Sequence, residues 1–190
     1  AAANEASSSL VTAELALDEN GIFLGLRVST VANLGAYLTL LGPHSSTNNL
    51  GSLSNTYKTP AIYTHVTGVF TNTNSTGPYR GAGRPEAVYT VERVIDTAAR
   101  EMGIDAAEIR RRNMIPQISE PFSTGFLFTY DSGEFEKNMD GALDMIEYSD
   151  FAARRADAEA RGKLRGIGIA NCIEQSAGGP PEWAQIRFDP

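Results

Sequence analysis

The chain has 190 residues, 42% of them hydrophobic, which is enough to bury a core in one or two domains. Its net charge of −7 argues against a nucleic-acid partner, because binding to phosphates rests on a basic surface. No apolar run reaches the roughly 18 residues of a membrane-spanning helix. The single cysteine, Cys172, excludes a disulfide framework or a cysteine-based zinc site within the chain.

The first part of the chain is rich in strand-forming residues. Runs over residues 8–17 and 22–34 flank the turn signal Asp18-Glu19-Asn20-Gly21, which predicts a β-hairpin. Residues 61–71 are predicted to form a third strand after a long loop. In the second run, alternation predicts one continuous apolar face made by Ile22, Leu24, Leu26 and Val28.

Helices follow these strands. The pattern predicts a helix from Pro85 to about Glu101, which ends at Gly103. Asp105 is predicted to cap the N-terminus of a second helix. This second helix carries Arg110-Arg111-Arg112, a run that we expect on a solvated or helix-C-terminal face.

The last part of the chain is predicted to be helical and then extended. Asp131 and Glu134 resemble a capping pair, and they predict the start of two helices over residues 134–161. Strands are predicted over residues 165–175 and 183–188.

This order of elements predicts an α+β fold in which mixed β-sheets pack against helices. We expect residues 1–115 to form part of a first lobe, residues 116–133 a connector, and residues 134–190 the start of a second lobe. Both ends of the sequence read as cut, since it opens on Ala1 and stops at Pro190. The sequence is therefore expected to be an internal fragment.

The segment over residues 78–87 is the most informative part of the sequence. Gly81 and Gly83 allow a tight turn, and the proline that follows suits the first position of a helix. Such a turn presents N–H groups and the positive end of a helix dipole to an anion, and Arg80 and Arg84 add two cations. This predicts an anion or cofactor cradle. The alternative is an ordinary strand-to-helix loop whose arginines pair with surface carboxylates.

Several stretches together carry a resemblance to a known family. They resemble the large, molybdopterin-binding subunit of the xanthine dehydrogenase/aldehyde oxidase/carbon monoxide dehydrogenase family, in its form II, carbon monoxide dehydrogenase-like branch. The similarity covers nearly all of the chain. The matching stretches are residues 31–37, 57–60, 71–73, 79–87, 109–116 and 165–170.

The resemblance implies an oxidoreductase that hydroxylates a carbon centre with water as the oxygen source. It implies a molybdopterin cofactor with molybdenum, in the cytosine dinucleotide form, and iron–sulfur clusters and FAD on partner domains or subunits. It further implies a small-molecule substrate and a dimer of heterotrimers in the cytoplasm. Export stays open, because the N-terminus is expected to be missing.

The resemblance also assigns site residues. Arg80 matches the position whose backbone N–H faces the molybdenum ligands, and no side chain of this chain is expected to bind the metal. The implied cofactor-binding set is Arg80, Gly81, Ala82, Gly83 and Arg84. No catalytic residue is expected here, because the family's catalytic glutamate lies near the C-terminus of whole subunits. Glu174 does not match that position, so the fragment alone is expected to be inactive.

Departures from the family pattern narrow the implied substrate. Gly81 stands where true carbon monoxide dehydrogenases carry a copper-binding cysteine. Ala82, which is expected in the substrate pocket, replaces a phenylalanine that stacks on purines, and Asn48 replaces a substrate-binding arginine. These departures favour an aldehyde or an N-heterocycle. The alternatives are a carbon monoxide dehydrogenase large subunit and, in another class, a non-catalytic anion-binding or assembly module.

Overall fold

The computed structural model describes residues 9–47, 50–174 and 183–188. Strands β1 (Ser9–Leu17) and β2 (Phe23–Asn33) pair antiparallel. The side chain of Asp18 accepts hydrogen bonds from the N–H groups of Asn20 and Ile22 and closes the turn between them. The predicted hairpin is therefore confirmed.

A third strand, β3 (Ile62–Val69), pairs parallel with β2 and gives a mixed sheet of order β1-β2-β3. The crossover from β2 to β3 was predicted to contain a long loop over residues 42–60. It contains a short helix, α1 (His44–Thr47), and a 3-10 turn (Leu50–Leu53). Several of its residues are buried, namely residues 51–57.

The helical part begins with α2 (Arg84–Met102) and α3 (Ala106–Asn113). Gly103 ends α2 in the left-handed conformation, with φ of 67°. The Asp105 carboxylate caps α3 by accepting hydrogen bonds from the N–H groups of Ala107 and Glu108. Both predicted helix ends are confirmed.

One face of the sheet packs on α2 and forms the core. Phe23, Leu26 and Val28 are buried there, together with Val91 and Ile95 of α2. The apolar face predicted for β2 is partly wrong. Leu24 is 52% exposed, because the pairing skips it where Ala16 pairs with Gly25 and Leu17 with Phe23. This bulge reverses the side-chain alternation.

The remaining elements are a two-stranded ladder of β4 (Phe122–Ser123) and β5 (Thr129–Tyr130), and two helices. These helices are α4 (Phe135–Met145) and α5 (Phe151–Ala160), joined by a 3-10 turn (Tyr148–Asp150). None of the helices in the described residues is both long and apolar enough to cross a membrane. The α+β architecture with mixed sheets is confirmed.

Two predictions for this part of the chain are wrong. Residues 165–174 and 183–188 form no strand, because none of the described residues pairs with them in a ladder. Side chains bind the backbone carbonyls of Ile169 and Asn171 instead. The capping pair is absent as well, since Glu134 at the N-terminus of α4 makes no side-chain cap and Asp131 accepts from Ser132.

Candidate functional site

The cradle loop, which we define as residues 78–84, turns tightly into the N-terminus of α2. The N–H of Ala82 donates to the carbonyl of Tyr79 (2.7 Å), and the N–H of Arg84 donates to that of Gly81 (2.9 Å). Three successive residues have positive φ: 86° at Gly81, 46° at Ala82 and 99° at Gly83. A left-handed conformation at Ala82 is uncommon for a residue with a Cβ atom, so the loop is held by its surroundings.

Both glycines of the cradle loop are needed by packing within the chain. A Cβ atom on Gly83 would overlap the backbone carbonyl of Ser45 in α1. A Cβ atom on Gly81 would lie 2.7 Å from Cδ of Pro85, closer than real Cβ atoms approach other atoms. The glycines therefore allow the crossover segment and the helix start to lie directly against the loop.

The two arginines of the cradle loop have different environments. Arg80 is exposed. Arg84 has a side chain that is only 17% exposed, and its Nε lies 2.9 Å from Oε1 of Glu174. Glu174 lies in irregular backbone at the end of the segment over residues 163–174, not in the predicted strand. The structure thus brings Glu174 to the cradle loop, although no sequence signal paired them.

Arg84 and Glu174 line an open cavity of about 660 Å³ beside the cradle loop. Two phenylalanines give it apolar walls, and carboxylates, hydroxyls and the guanidinium give it polar ones. Ala82, the predicted substrate-pocket residue, is not part of this lining. The other lining residues are Ser52, Phe128, Thr129, Tyr130, Asp131, Ser132, Phe135 and Ile173.

A buried charged cluster lies along α2 and α3, and its centre is Arg110. The Arg110 side chain is 0% exposed, so the prediction of a solvated position is wrong for this residue. Its guanidinium contacts the carboxylates of Glu92 (2.8 Å) and Asp96 (2.7 Å). Arg111 and Arg112, the next residues of α3, keep about a third of their side chains exposed, and Arg112 pairs with Glu108 on the surface.

Three further polar residues complete this cluster. Oε1 of Glu92 accepts hydrogen bonds from the hydroxyl of Tyr57 (2.6 Å) and from Nδ2 of Asn55 (2.9 Å). Nδ2 of Asn55 also donates to the backbone carbonyl of Asn171 (2.8 Å), and Nδ2 of Asn171 donates to the Tyr57 hydroxyl (3.0 Å). The buried charges are therefore paired, as they must be to offset the loss of hydration, whereas Oδ1 of Asn55 has no hydrogen-bond partner among the described residues.

Burial and neighbouring charges both shift the pKa values of these groups. Burial raises the pKa of Glu92 above its ordinary value, although the Arg110 charge opposes this. Burial also raises the pKa of Tyr57, and the neighbouring Glu92 carboxylate raises it further. For Arg110, burial lowers the pKa, but Glu92 and the other neighbouring groups together more than offset that effect, so the pKa lies above its ordinary value. The guanidinium stays charged.

Sequence reasoning missed the buried partners of Arg110. The sequence pattern did not distinguish Glu92 from the surface residues of α2. Glu92 nevertheless lies one turn away from Val88 and Ile95, on the apolar side of this helix. A charged residue inside an apolar helical stripe was the available signal, because such a residue is buried only when it is paired. Asn113, which is 1% exposed and bonds three backbone groups, was missed in the same way.

The described residues offer backbone N–H groups to an anionic cofactor, rather than a cluster of metal-binding side chains to a metal ion. The described residues contain no group of three or more His, Cys, Asp or Glu side chains that could hold a metal ion. Within those same residues, the N–H groups of Arg80, Gly81 and Gly83 donate to no protein acceptor. Arg80 is exposed, Gly81 is half-buried and Gly83 is buried. Such N–H donors on a turn before a helix fit an electron-rich, anionic group, which can be bound without a side-chain ligand.

Similarity to a known protein family identifies the family to which the chain belongs. The model of the molybdopterin cofactor-binding domain matches residues 1–114, which include the whole cradle loop. The chain belongs to this family. The cofactor of the family is a molybdopterin, and the cradle loop offers donors of the kind that it requires.

Individual relatives agree with this assignment. The chain is 37% identical to the carbon monoxide dehydrogenase large chain of Hydrogenophaga pseudoflava, over 91% of this chain and 22% of that protein. It is 31% identical to the 6-hydroxypseudooxynicotine dehydrogenase complex subunit gamma of Paenarthrobacter nicotinovorans, over 86% of this chain and 21% of that protein. Their names make both relatives subunits of larger assemblies.

A solved structure gives the same result. The crystal structure of quinoline 2-oxidoreductase from Pseudomonas putida 86 superposes on 81% of this chain and 20% of that chain, with a TM-score of 0.75 and 31% identity. The chain therefore spans about a fifth of the length of its relatives. Asn48, where the family resemblance implied a lost substrate arginine, lies outside the described residues.

Proposed function

We propose that this chain is part of the large subunit of a molybdenum hydroxylase, an oxidoreductase that oxidises an aldehyde or an N-heterocycle with water as the oxygen source. The observation that carries the proposal is the cradle loop, whose N–H groups at Arg80, Gly81 and Gly83 have no acceptor among the described residues and precede α2 inside a molybdopterin-binding domain. The bound molybdenum centre would supply the two-electron oxidation of the substrate carbon.

The residues of this chain would bind and orient the cofactor. The N–H groups of Arg80, Gly81 and Gly83 would donate to its electron-rich atoms, aided by the positive end of the α2 dipole. Arg84 would add positive charge nearby, held in place by Glu174. Ala82 is proposed to border the substrate. None of these residues is proposed to transfer the proton, so the general base would lie elsewhere in the complete subunit.

The finer features of the assembly are proposals of the same kind. The cofactor would be the cytosine dinucleotide form, and electrons would leave through iron–sulfur clusters and FAD on partner domains or subunits. The enzyme would be a cytoplasmic dimer of heterotrimers. Within this chain, residues 1–115 would contribute to a first lobe and residues 134–190 to a second, with residues 116–133 between them.

The substrate proposal rests on what the cradle loop lacks. Gly81 offers no thiolate for copper, and Ala82 offers no aromatic ring to stack on a purine. The similarity to quinoline 2-oxidoreductase favours an N-heterocycle. Carbon monoxide is the second candidate, because the 37% identity to a carbon monoxide dehydrogenase large chain favours it.

Two variants of the complete subunit at Arg80 test the role of its backbone donor. Arg80→Ala keeps the N–H, so we expect nearly normal molybdenum content, whereas Arg80→Pro removes it and should lower the content clearly. Arg93→Ala, at an exposed arginine of α2, is the matched control. Equal molybdenum content in all three variants would show that the donor at Arg80 does not matter.

Metal analysis of the wild-type complete enzyme tests the chemistry. We expect molybdenum without an equivalent amount of copper, and faster turnover of quinoline-type heterocycles or aldehydes than of carbon monoxide. One copper per molybdenum with rapid oxidation of carbon monoxide would support the second candidate instead. A purified complete subunit that retains no molybdenum would favour the anion-binding or assembly module.

A further inference from the structure

We propose that Arg110 is a positioning residue: with Glu92, it holds residues 169–171 against α2 and α3 and thereby fixes Glu174 beside Arg84 of the cradle loop. The mechanical part of this proposal concerns only the chain itself. Its consequence for cofactor binding rests on the proposed function.

All three nitrogens of the Arg110 guanidinium donate hydrogen bonds. Its Nε donates to Glu92 (2.9 Å), its Nη1 to the carbonyl of Ala106 (2.8 Å), and its Nη2 to Asp96 (2.7 Å). The same Nη2 donates to the backbone carbonyl of Ile169 (3.0 Å). This planar fork therefore joins two helices to a distant part of the chain, which a lysine ammonium cannot do with the same geometry.

The distant segment depends on such contacts, because it has no regular hydrogen bonding of its own. Within the described residues, those over 163–174 belong to no helix or strand. The carbonyl of Ile169 is bound by Arg110, and that of Asn171 by Asn55. The Asn171 side chain contacts the hydroxyl of Tyr57 and the sulfur of Met139. Hydrogen bonds from side chains thus take the place of the strand-to-strand hydrogen bonds that this segment lacks.

The anchor lies only three residues before Glu174. Three extended residues span at most about 10 Å, so fixing Asn171 confines Glu174 to a small region. In that region its carboxylate lies 2.9 Å from Nε of Arg84. Because Arg84 begins α2, the anchored segment acts on the end of the cradle loop. Loss of the anchor would separate Glu174 from the Arg84 side chain.

A buried ion pair that only stabilises the core would behave differently. Its loss would loosen α2 and α3 as a whole, whereas loss of a positioning contact would loosen residues 168–174 and the cradle loop first. Amide hydrogen exchange separates these cases, because it reports local opening free energies along the chain.

The test uses the complete subunit with the substitution Arg110→Lys. Lysine keeps the positive charge near Glu92 but cannot bridge to Ile169. We expect the amide of Asn171, whose N–H is hydrogen-bonded to the Glu92 carboxylate, to exchange about tenfold faster or more. A smaller increase is expected at the hydrogen-bonded amides of Ala82 and Arg84, and none in residues 91–99. Arg112→Lys is the matched control, since Arg112 lies on the same helix with a partly exposed side chain.

Two further variants complete the test. Glu174→Gln should speed exchange at Ala82 and Arg84 without affecting Asn171. Combining it with Arg110→Lys should add little more at Ala82 and Arg84. Tyr57→Phe removes one hydroxyl from the cluster at constant shape and should speed exchange at Asn171. If Arg110→Lys does not fold, the exchange rates of Tyr57→Phe test the proposal in its place.

Several results would overturn the proposal. Unchanged exchange at the amide of Asn171 in Arg110→Lys, or in Tyr57→Phe when the first variant fails to fold, would show that the cluster does not hold the segment. Equal acceleration in residues 91–99 would show a general loss of stability. These readouts need no bound cofactor, so a wild-type subunit without molybdenum would defeat the proposed function but not this inference.

Discussion

Gly83 lies directly against the backbone carbonyl of Ser45, with no room for a Cβ atom between them. This contact joins the cradle loop to α1, in the crossover between β2 and β3. It therefore restricts the position of the loop just before α2 begins. The position of the N–H donors thus depends on a part of the chain some forty residues earlier.

Gly83→Ala should destabilise the subunit by about 3 kcal/mol or more, because overlap with a backbone atom adds to the cost of a positive φ. The melting temperature and the molybdenum content of the purified subunit should both fall. Gly103→Ala is the control, since Gly103 also has a positive φ but a Cβ atom there would meet nothing within 4 Å. We expect it to cost only about 1 kcal/mol. Equal effects of the two variants would contradict the steric argument.

Asp105→Ala should loosen the first turn of α3. The Asp105 carboxylate accepts hydrogen bonds from two backbone N–H groups, at 2.9 and 3.0 Å, and losing such a cap costs about 1 kcal/mol. Amides of Ala107 and Glu108 should exchange about fivefold faster. Asp131→Ala should leave the first turn of α4 unchanged, because no side chain caps that helix.

Asn113→Ala should be strongly destabilising, by about 3 kcal/mol, because it leaves buried backbone groups without partners. Oδ1 of Asn113 accepts from the N–H of Phe23, and its Nδ2 donates to the carbonyls of Gly21 and Ile109, all at 2.8 Å. Asn20→Ala, on the exposed side of the same turn, should change stability by less than about 0.5 kcal/mol. Denaturant midpoints of the complete subunit compare the two variants. Similar midpoints would refute the buried role.

Tyr130 should give the subunit a stability loss at high pH. Burial raises the pKa of Tyr130 to about 12, and its hydroxyl donates to the carbonyl of Asn55. Between a pKa of about 10 in the unfolded chain and about 12 in the folded one, the folded state holds a proton that the unfolded state releases. Raising the pH through this window therefore favours unfolding.

Tyr130→Phe measures this effect. Relative to the variant, the wild type should lose stability from about pH 10 to about pH 12 and then change no further. The tyrosinate absorbance difference between the two folded proteins should show one ionisation near pH 12. An ionisation near pH 10 would mean that the Tyr130 hydroxyl is solvated.

The elements that the sequence predicted well are those with local signals. The hairpin turn at Asp18, the helix stop at Gly103 and the cap at Asp105 each depend on residues within four positions. The cradle loop was also visible, since glycines before a proline predict a turn into a helix. Its role in cofactor binding remains a proposal.

The features that the sequence did not predict depend on distant partners. Arg110 is buried because Glu92, Asp96 and Ile169 surround it, and nothing within its own helix indicates them. Leu24 is exposed because the opposite strand skips it. Residues 165–174 have the composition of a strand, but a strand also requires a second strand to pair with. In this segment, side chains of Arg110 and Asn55 bind the backbone carbonyls instead.

The buried cluster also has a consequence for the order in which the protein is assembled. Arg110 binds a carbonyl 59 positions later in the chain, and Asn55 binds one 116 positions later. A nascent chain leaving the ribosome therefore exposes these donors long before their acceptors have been synthesised. The match to the molybdopterin-binding domain ends at residue 114, so Ile169 and Asn171, whose carbonyls this cluster binds, lie outside the matched domain.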